Sequence, residues 1–311
     1  MNMIFGDEQL MNRSYKIAIF CLLVLAVFGS ILFLSNGENN EVIPESENGN
    51  NAQNTTGKIT SDSDGDDVMD HTSEFKDSDK VSIFNHDGWE LVWHDEFEDS
   101  YLDLTKWNIE DWAAQKNNEL QYYSPNNVIV KNGFLRLISK AEKYQGKNYT
   151  SGAVHTKNKF DFLYGKAEMR AKLPAGQGMF PAFWMMTDKE HTWLPEIDIM
   201  EMLGHLPNEV WMVAHWLGED GALKSESTSF IGPDFSSDFH TFSVEWTPDS
   251  LTWFIDGAER FKTNTFIPSE KMYLYLNTAV GGNWPGSPDH TTIFPAIFEI
   301  DYVRVFKQVD E

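Results

Sequence analysis

Pro195-Glu196-Ile197-Asp198-Ile199-Met200-Glu201-Met202-Leu203-Gly204 places three carboxylates within six residues of an apolar run. The interleaved Ile197, Ile199, Met200 and Met202 mark a buried strand rather than a solvated edge. In a regular strand, side chains at i and i+2 share a face, so Glu196 and Asp198 point together. Glu201, at i+5, faces the other way unless one β-bulge between Asp198 and Glu201 brings it back. A helix does not achieve this, because five residues turn the pair about 140° apart. Burying three acids without a task is costly. Crowded on one face they repel one another, and at least one holds its proton longer. Retaining glycosidases need that division: one ionised carboxylate attacks the anomeric carbon, and one protonated carboxyl, about 5–5.5 Å away, releases the leaving oxygen.

The sequence around this segment is a series of short strands. Phe134-Leu-Arg-Leu-Ile138, Lys166 to Leu173, Phe239 to Trp246 and Leu251-Thr-Trp-Phe-Ile255 alternate apolar with polar residues. Asn132-Gly133, Asp256-Gly257 and Thr247-Pro-Asp-Ser250 are turn signals between them. Helical spacing is confined to a turn expected near Pro268 to Lys271. Many short antiparallel strands rich in aromatics imply an all-β sandwich of two curved sheets.

Composition bounds the rest. The chain has 311 residues and a net charge of −24, and all 11 tryptophans lie between Trp89 and Trp284. One folded domain, 88–311, is expected. Residues 37–87 carry 13 Asp and Glu against 3 Lys and read as a disordered acidic linker. Within it, Asp62-Ser-Asp64-Gly-Asp66-Asp67 departs from a calcium-loop pattern and reads as solvated linker. Residues 1–36 contain an 18-residue uncharged run, Ile17 to Leu34, preceded by Arg13 and Lys16. That run implies export, by a signal peptide or a retained membrane anchor. The absence of a basic stripe argues against nucleic acid. The single cysteine, Cys21, leaves the domain without a disulfide or a cysteine metal site. Nothing suggests an interface, so a monomer is expected.

Sugar rings offer flat C–H faces to tryptophan and hydroxyls to amides. Candidate substrate residues are Trp112, Trp184, Trp193, Trp216 and Trp284, with Asn118 and Asn283. Trp184 divides evenly between core and cleft, while Trp246 and Trp253 alternate within strands and read as core.

Glu196-Ile-Asp-Ile-Met-Glu201 resembles the active-site strand of glycoside hydrolase family 16. The extra Met200 is similar to the bulged laminarinase-like and galactanase branches, whereas the lichenase branch lacks it. Trp93-His-Asp-Glu-Phe-Glu98, Asn117-Asn-Glu-Leu-Gln-Tyr-Tyr123, Tyr149-Thr-Ser-Gly152, Tyr164-Gly165, Phe180-Pro-Ala-Phe-Trp184, His215-Trp216, Gly281-Gly-Asn-Trp-Pro-Gly286 and Asp301-Tyr-Val-Arg-Val305 resemble family segments in the same order. The resemblance implies a jelly roll with a concave substrate cleft. It implies that Glu196 is the nucleophile, Asp198 its assistant and Glu201 the general acid/base, with His215 close by. It also implies no cofactor for catalysis and a structural Ca2+ on the convex side, held by Glu98, the Gly133 carbonyl and Asp301.

The implied activity is endo-hydrolysis of β-1,3- or mixed β-1,3-1,4-glucan. Three positions depart from the laminarinase pattern. Trp112-Ala-Ala-Gln-Lys116 replaces a Trp-Gly, Phe180 replaces a Trp, and Ala153 replaces a substrate-binding Arg. These positions line glycone subsites, so they bear on which polymer is taken. A bacterial exopolysaccharide or galactan is the alternative substrate. A non-catalytic carbohydrate-binding protein would have lost at least one of the three acids, and all three are present.

Overall fold

The computed structural model describes residues 88–190 and 192–309. The expected N-terminal export segment and acidic linker lie outside the described residues. Among the described residues no helix is long and apolar enough to cross a membrane.

Two large sheets face each other. The outer sheet runs β16 (Ala258–Thr263), β15 (Leu251–Ile255), β14 (His240–Trp246), β9 (Gly165–Lys172), β18 (Ala296–Gln308), β6 (Phe134–Ser139) and β5 (Val128–Lys131), with β1 (Trp89–Asp95) also paired to β18. The inner sheet runs β13 (Leu223–Ile231), β12 (Glu209–Leu217), β11 (Glu196–Met202), β10 (Met179–Thr187), β17 (Met272–Val280), β8 (Ala153–His155) and β2 (Asn108–Ile109). A small sheet of β3 (Trp112–Ala113), β4 (Gln121–Tyr123) and β7 (Tyr149–Ser151) walls one end, and β4 to β7 is its parallel pair. This is the expected jelly-roll β-sandwich.

Alternation drives the packing. Ala167, Met169 and Ala171 of β9 and Phe242, Val244 and Trp246 of β14 turn inward, and the residues between them take the opposite face. They meet Phe183, Met185, Ile197, Met200, Met202 and Met212 from the inner sheet in one core. Trp246 and Trp253 are fully buried in it. The turn signals hold: Asn132 and Gly133, and Asp256 and Gly257, all take positive φ, the conformation a two-residue hairpin needs.

The helical turn expected near Pro268 does not form. That stretch is irregular, and the Pro268 carbonyl accepts the Trp246 indole N–H at 3.0 Å. A short 3-10 turn, Pro125–Asn127, is the helical element among the described residues.

Candidate active site

The bulge sits where the sequence requires it. Pairing of β11 with β12 steps between Asp198 and Glu201, and pairing with β10 steps opposite, between Phe183 and Trp184. Ile197, Ile199, Met200 and Met202 enter the core. Glu196, Asp198 and Glu201 therefore line the other face, the floor of the inner sheet. A bulge disrupts the local ladder, and the Asp198 carbonyl accepts the buried Trp253 indole N–H from β15 at 2.9 Å.

Electrostatics follow from this crowding. Asp198 is buried, at 3% exposure, and Glu196 and Glu201 are half-buried. Burial pushes Glu201 up from 4.5 to about 8. Burial, then the charge of Glu201, pushes Glu196 well up, and Lys116 pulls it partly back. Burial, then its two neighbours, raises Asp198 as well. Such a trio does not carry three charges near neutrality; it keeps a proton, as an acid and a nucleophile sharing one site require.

His215 stands directly across from Glu196 in the register, with Nε2 3.5 Å from Asp198 Oδ2. Burial lowers its pKa to about 4, which favours the neutral ring near neutral pH. Neither His215 Nδ1 nor Asp198 Oδ2 has a hydrogen-bond partner.

The aromatic candidates divide. Trp184 resolves to the cleft: its core-facing neighbours are Phe183 and Met185, and its own ring stacks on Tyr275 at 4.6 Å. Asn277 fixes that ring, accepting the Trp184 indole N–H at 2.8 Å while donating to the Tyr123 hydroxyl at 3.0 Å. Trp193 meets the His215 ring edge-on at 5.7 Å. Trp284 packs against Phe180 and Trp211. Asn118 donates to Asn283 at 2.6 Å, closing the 117–118 loop onto the 281–286 loop. Trp112 is linked through Glu110, whose carboxylate accepts from Trp112 Nε1 and Tyr275 Oη at 2.7 Å each.

Trp216 does not join them. One residue beyond His215 in β12, it turns to the opposite face and stacks on Phe266 at 5.1 Å, so its place among the substrate residues is corrected. The same alternation identifies a residue sequence reading passed over. Trp211 lies four before His215, hence on the same face, and forms the wall beside Trp284. Glu110, His155, Tyr275 and Asn277 were also missed, because polar groups on separate strands carry no common spacing.

The proposed calcium ligands lie on the outer sheet. Strand β6 pairs with β18 as far as Ile300, and β1 takes over from Val303, so Asp301 sits at the handover, close to the β5–β6 turn holding Gly133. Asp301 Oδ2 is already paired with Arg170 Nη1 at 2.6 Å, so an ion there shares Asp301 with a guanidinium. Glu98, exposed, stands three residues beyond the end of β1.

Three carboxylates crowded on one face of a sheet, between aromatic rings, are the site of a glycoside hydrolase. The family profile for "Glycosyl hydrolases family 16" matches residues 115–302. A second profile, "Beta-glucan synthesis-associated protein SKN1/KRE6/Sbg1", matches residues 2–191 and stops short of β11. The laminarinase catalytic domain of Thermotoga maritima is 38% identical, with TM-score 0.67, covering 72% of this chain and 100% of that one. The endo-beta-1,3-glucanase of Pyrococcus furiosus is 36% identical, with TM-score 0.64, covering 72% and 96%. A "Beta-glucanase" of Rhodothermus marinus is 35% identical over 254 residues, 71% of this chain and 86% of the relative. The chain belongs to glycoside hydrolase family 16.

Proposed function

We propose that the protein is a retaining endo-β-glucanase that cuts internal β-1,3 bonds, and mixed β-1,3-1,4 bonds, in glucans. The observation that carries this reading is the bulge that sets Glu196, Asp198 and Glu201 on one face among aromatic platforms. In the first step a Glu196 oxygen attacks the anomeric carbon. The bond to the leaving sugar breaks as the Glu201 proton passes to its oxygen. Water then attacks the glycosyl ester, giving its proton to Glu201 and restoring the Glu196 carboxylate. Asp198 holds Glu196 in place, and neutral His215 backs the pair without adding charge.

A polymer other than β-1,3-glucan is the second reading, an exopolysaccharide or a galactan. It draws on Ala153, which buries its methyl group beneath Tyr123 and Tyr275 where laminarinases place a guanidinium. The protein is exported through its N-terminal segment, acts as a monomer, and carries a structural Ca2+ at Glu98, the Gly133 carbonyl and Asp301. The strand handover at Asp301 supports that ion, which would clip the first strands to the last.

The test is reducing-end release by the full chain from laminarin, mixed-linkage glucan, agarose and an acidic exopolysaccharide, with Glu196→Ser in parallel. Laminarin cleavage with retained anomeric configuration, lost in the variant, is expected. Inversion of the product overturns the mechanism, and cleavage of another polymer alone reassigns the substrate. A chelator that leaves the melting temperature unchanged removes the calcium.

A further inference from the structure

The catalytic floor holds a second chemistry. One ligand-type atom from each of Glu196, Asp198 and His215 lies within 4.8 Å of the other two, the one group of three His, Cys, Asp or Glu so placed among the described residues. The contact between His215 Nε2 and Asp198 Oδ2, at 3.5 Å, is too long for a good hydrogen bond. Indeed Asp198 Oδ2, on a side chain 3% exposed, has no hydrogen-bond partner. Its separation from His215 Nε2 nevertheless matches another geometry. Ligand atoms about 2.0–2.2 Å from a tetrahedral zinc ion stand about 3.4 Å apart. Two ligands of such a site are thus already spaced for it, and Glu196 stands within 4.8 Å of both as the third.

We propose that Glu196, Asp198 and His215 bind one divalent ion of the zinc class, and that the ion shuts the active site. The ligand set favours zinc over calcium: one imidazole nitrogen and two carboxylates give a small mixed N/O site, whereas calcium takes six to eight oxygens. Strand geometry explains the match. Glu196 and His215 are cross-strand partners, and Asp198 follows Glu196 on the same face. The fourth vertex opens to the cleft, where water or a sugar hydroxyl completes the shell. With Glu196 on the metal, the nucleophile is no longer available to attack the anomeric carbon. That inhibitory consequence rests on the nucleophile assignment above; the binding itself does not.

The experiment is calorimetric titration of Zn2+ into the full chain, without polysaccharide, in buffer holding excess Ca2+ to fill any oxygen-only site. One zinc per chain is expected in the wild type and in Glu201→Gln, which keeps all three ligands. His215→Ala is expected to weaken binding by about tenfold or more, since even outer-shell losses cost about that much. Should His215→Ala fail to fold, Co2+ on the wild type reads the ligand set directly. An intense visible band of a tetrahedral site supports the proposal, and the weak spectrum of an octahedral ion overturns it. Absence of binding, or unchanged affinity in folded His215→Ala, overturns it equally. On a laminarin-active enzyme, Zn2+ should abolish activity and a chelator should restore it.

Discussion

Replacing Glu201 by Gln is expected to slow catalysis severely and to stabilise the fold, in a way that depends on pH. Glu201 ionises near 4.5 in an unfolded chain, and burial raises this to about 8 in the fold. The folded state therefore binds the proton more tightly. Stability from this group is full below the unfolded value and is lost as pH rises through about 8. At about 1.4 kcal/mol per pH unit, the rise corresponds to at most about 5 kcal/mol. Gln keeps the shape and never ionises. The variant and the wild type should unfold at the same urea concentration below about pH 4.5, and the variant should resist more urea above about pH 8. A constant difference at every pH would refute the reasoning, because it would locate the effect in packing rather than in the proton. The kinetic counterpart is separate. Turnover of glucan should fall by about 10²–10⁴ in the variant, as expected for a lost general acid. A substrate with a nitrophenolate leaving group, which needs no proton, should lose far less. The wild-type rate should decline as pH rises through about 8, and that limb should vanish in Glu201→Gln.

Three further outcomes follow from the geometry. Deleting Met200 places Glu201 four residues after Glu196, on the same face of a regular strand. Measurable activity should survive while the lost core side chain costs about 2–5 kcal/mol, and a folded but wholly inactive deletion would count against the bulge argument. Asn277→Ala releases the Trp184 ring and leaves the Tyr123 hydroxyl unpaired, so KM for polymer should rise several-fold with kcat nearly kept. An equal fall in kcat would instead place Asn277 in transition-state binding. Gly165→Ala drives a methyl against the Phe306 carbonyl at φ +144°, and should lower the melting temperature markedly, by an amount worth about 1–3 kcal/mol or more. An unchanged melting curve would mean that β18 moves freely there.

Much of this architecture was legible in the sequence wherever periodicity spoke. Alternation in 166–173 and 239–246 gave two outer strands, and Asn132-Gly133 and Asp256-Gly257 gave the turns of two neighbouring hairpins, β5–β6 and β15–β16. The five-residue spacing of Glu196 and Glu201 called for a bulge, and one is there. Trp184 could not be settled, because Phe180 to Thr187 is apolar on both faces and shows no period. Trp216 was misread for the opposite reason: its parity relative to His215 was available and argued against it. The network of Glu110, Tyr275 and His155 joins strands far apart in the chain, and only the fold brings them within reach. The helical turn near Pro268 failed because its local pattern competed with the indole of Trp246 for the same backbone.

The hydrogen bond from Trp253 to the Asp198 carbonyl has a consequence for how the enzyme tolerates change. It makes the gap between the two sheets a dimension of the catalytic centre. A substitution in the hydrophobic layer, an ion on the outer surface, or hydrostatic compression acts on that gap without touching a sugar. Each reaches the carboxylates through the Trp253 indole and through the core side chains Ile197, Ile199, Met200 and Met202 of the same strand. The 281–286 loop hangs from the rim outside this coupling, whereas the 110–123 segment reaches the carboxylates by another route, the charge of Lys116 on Glu196.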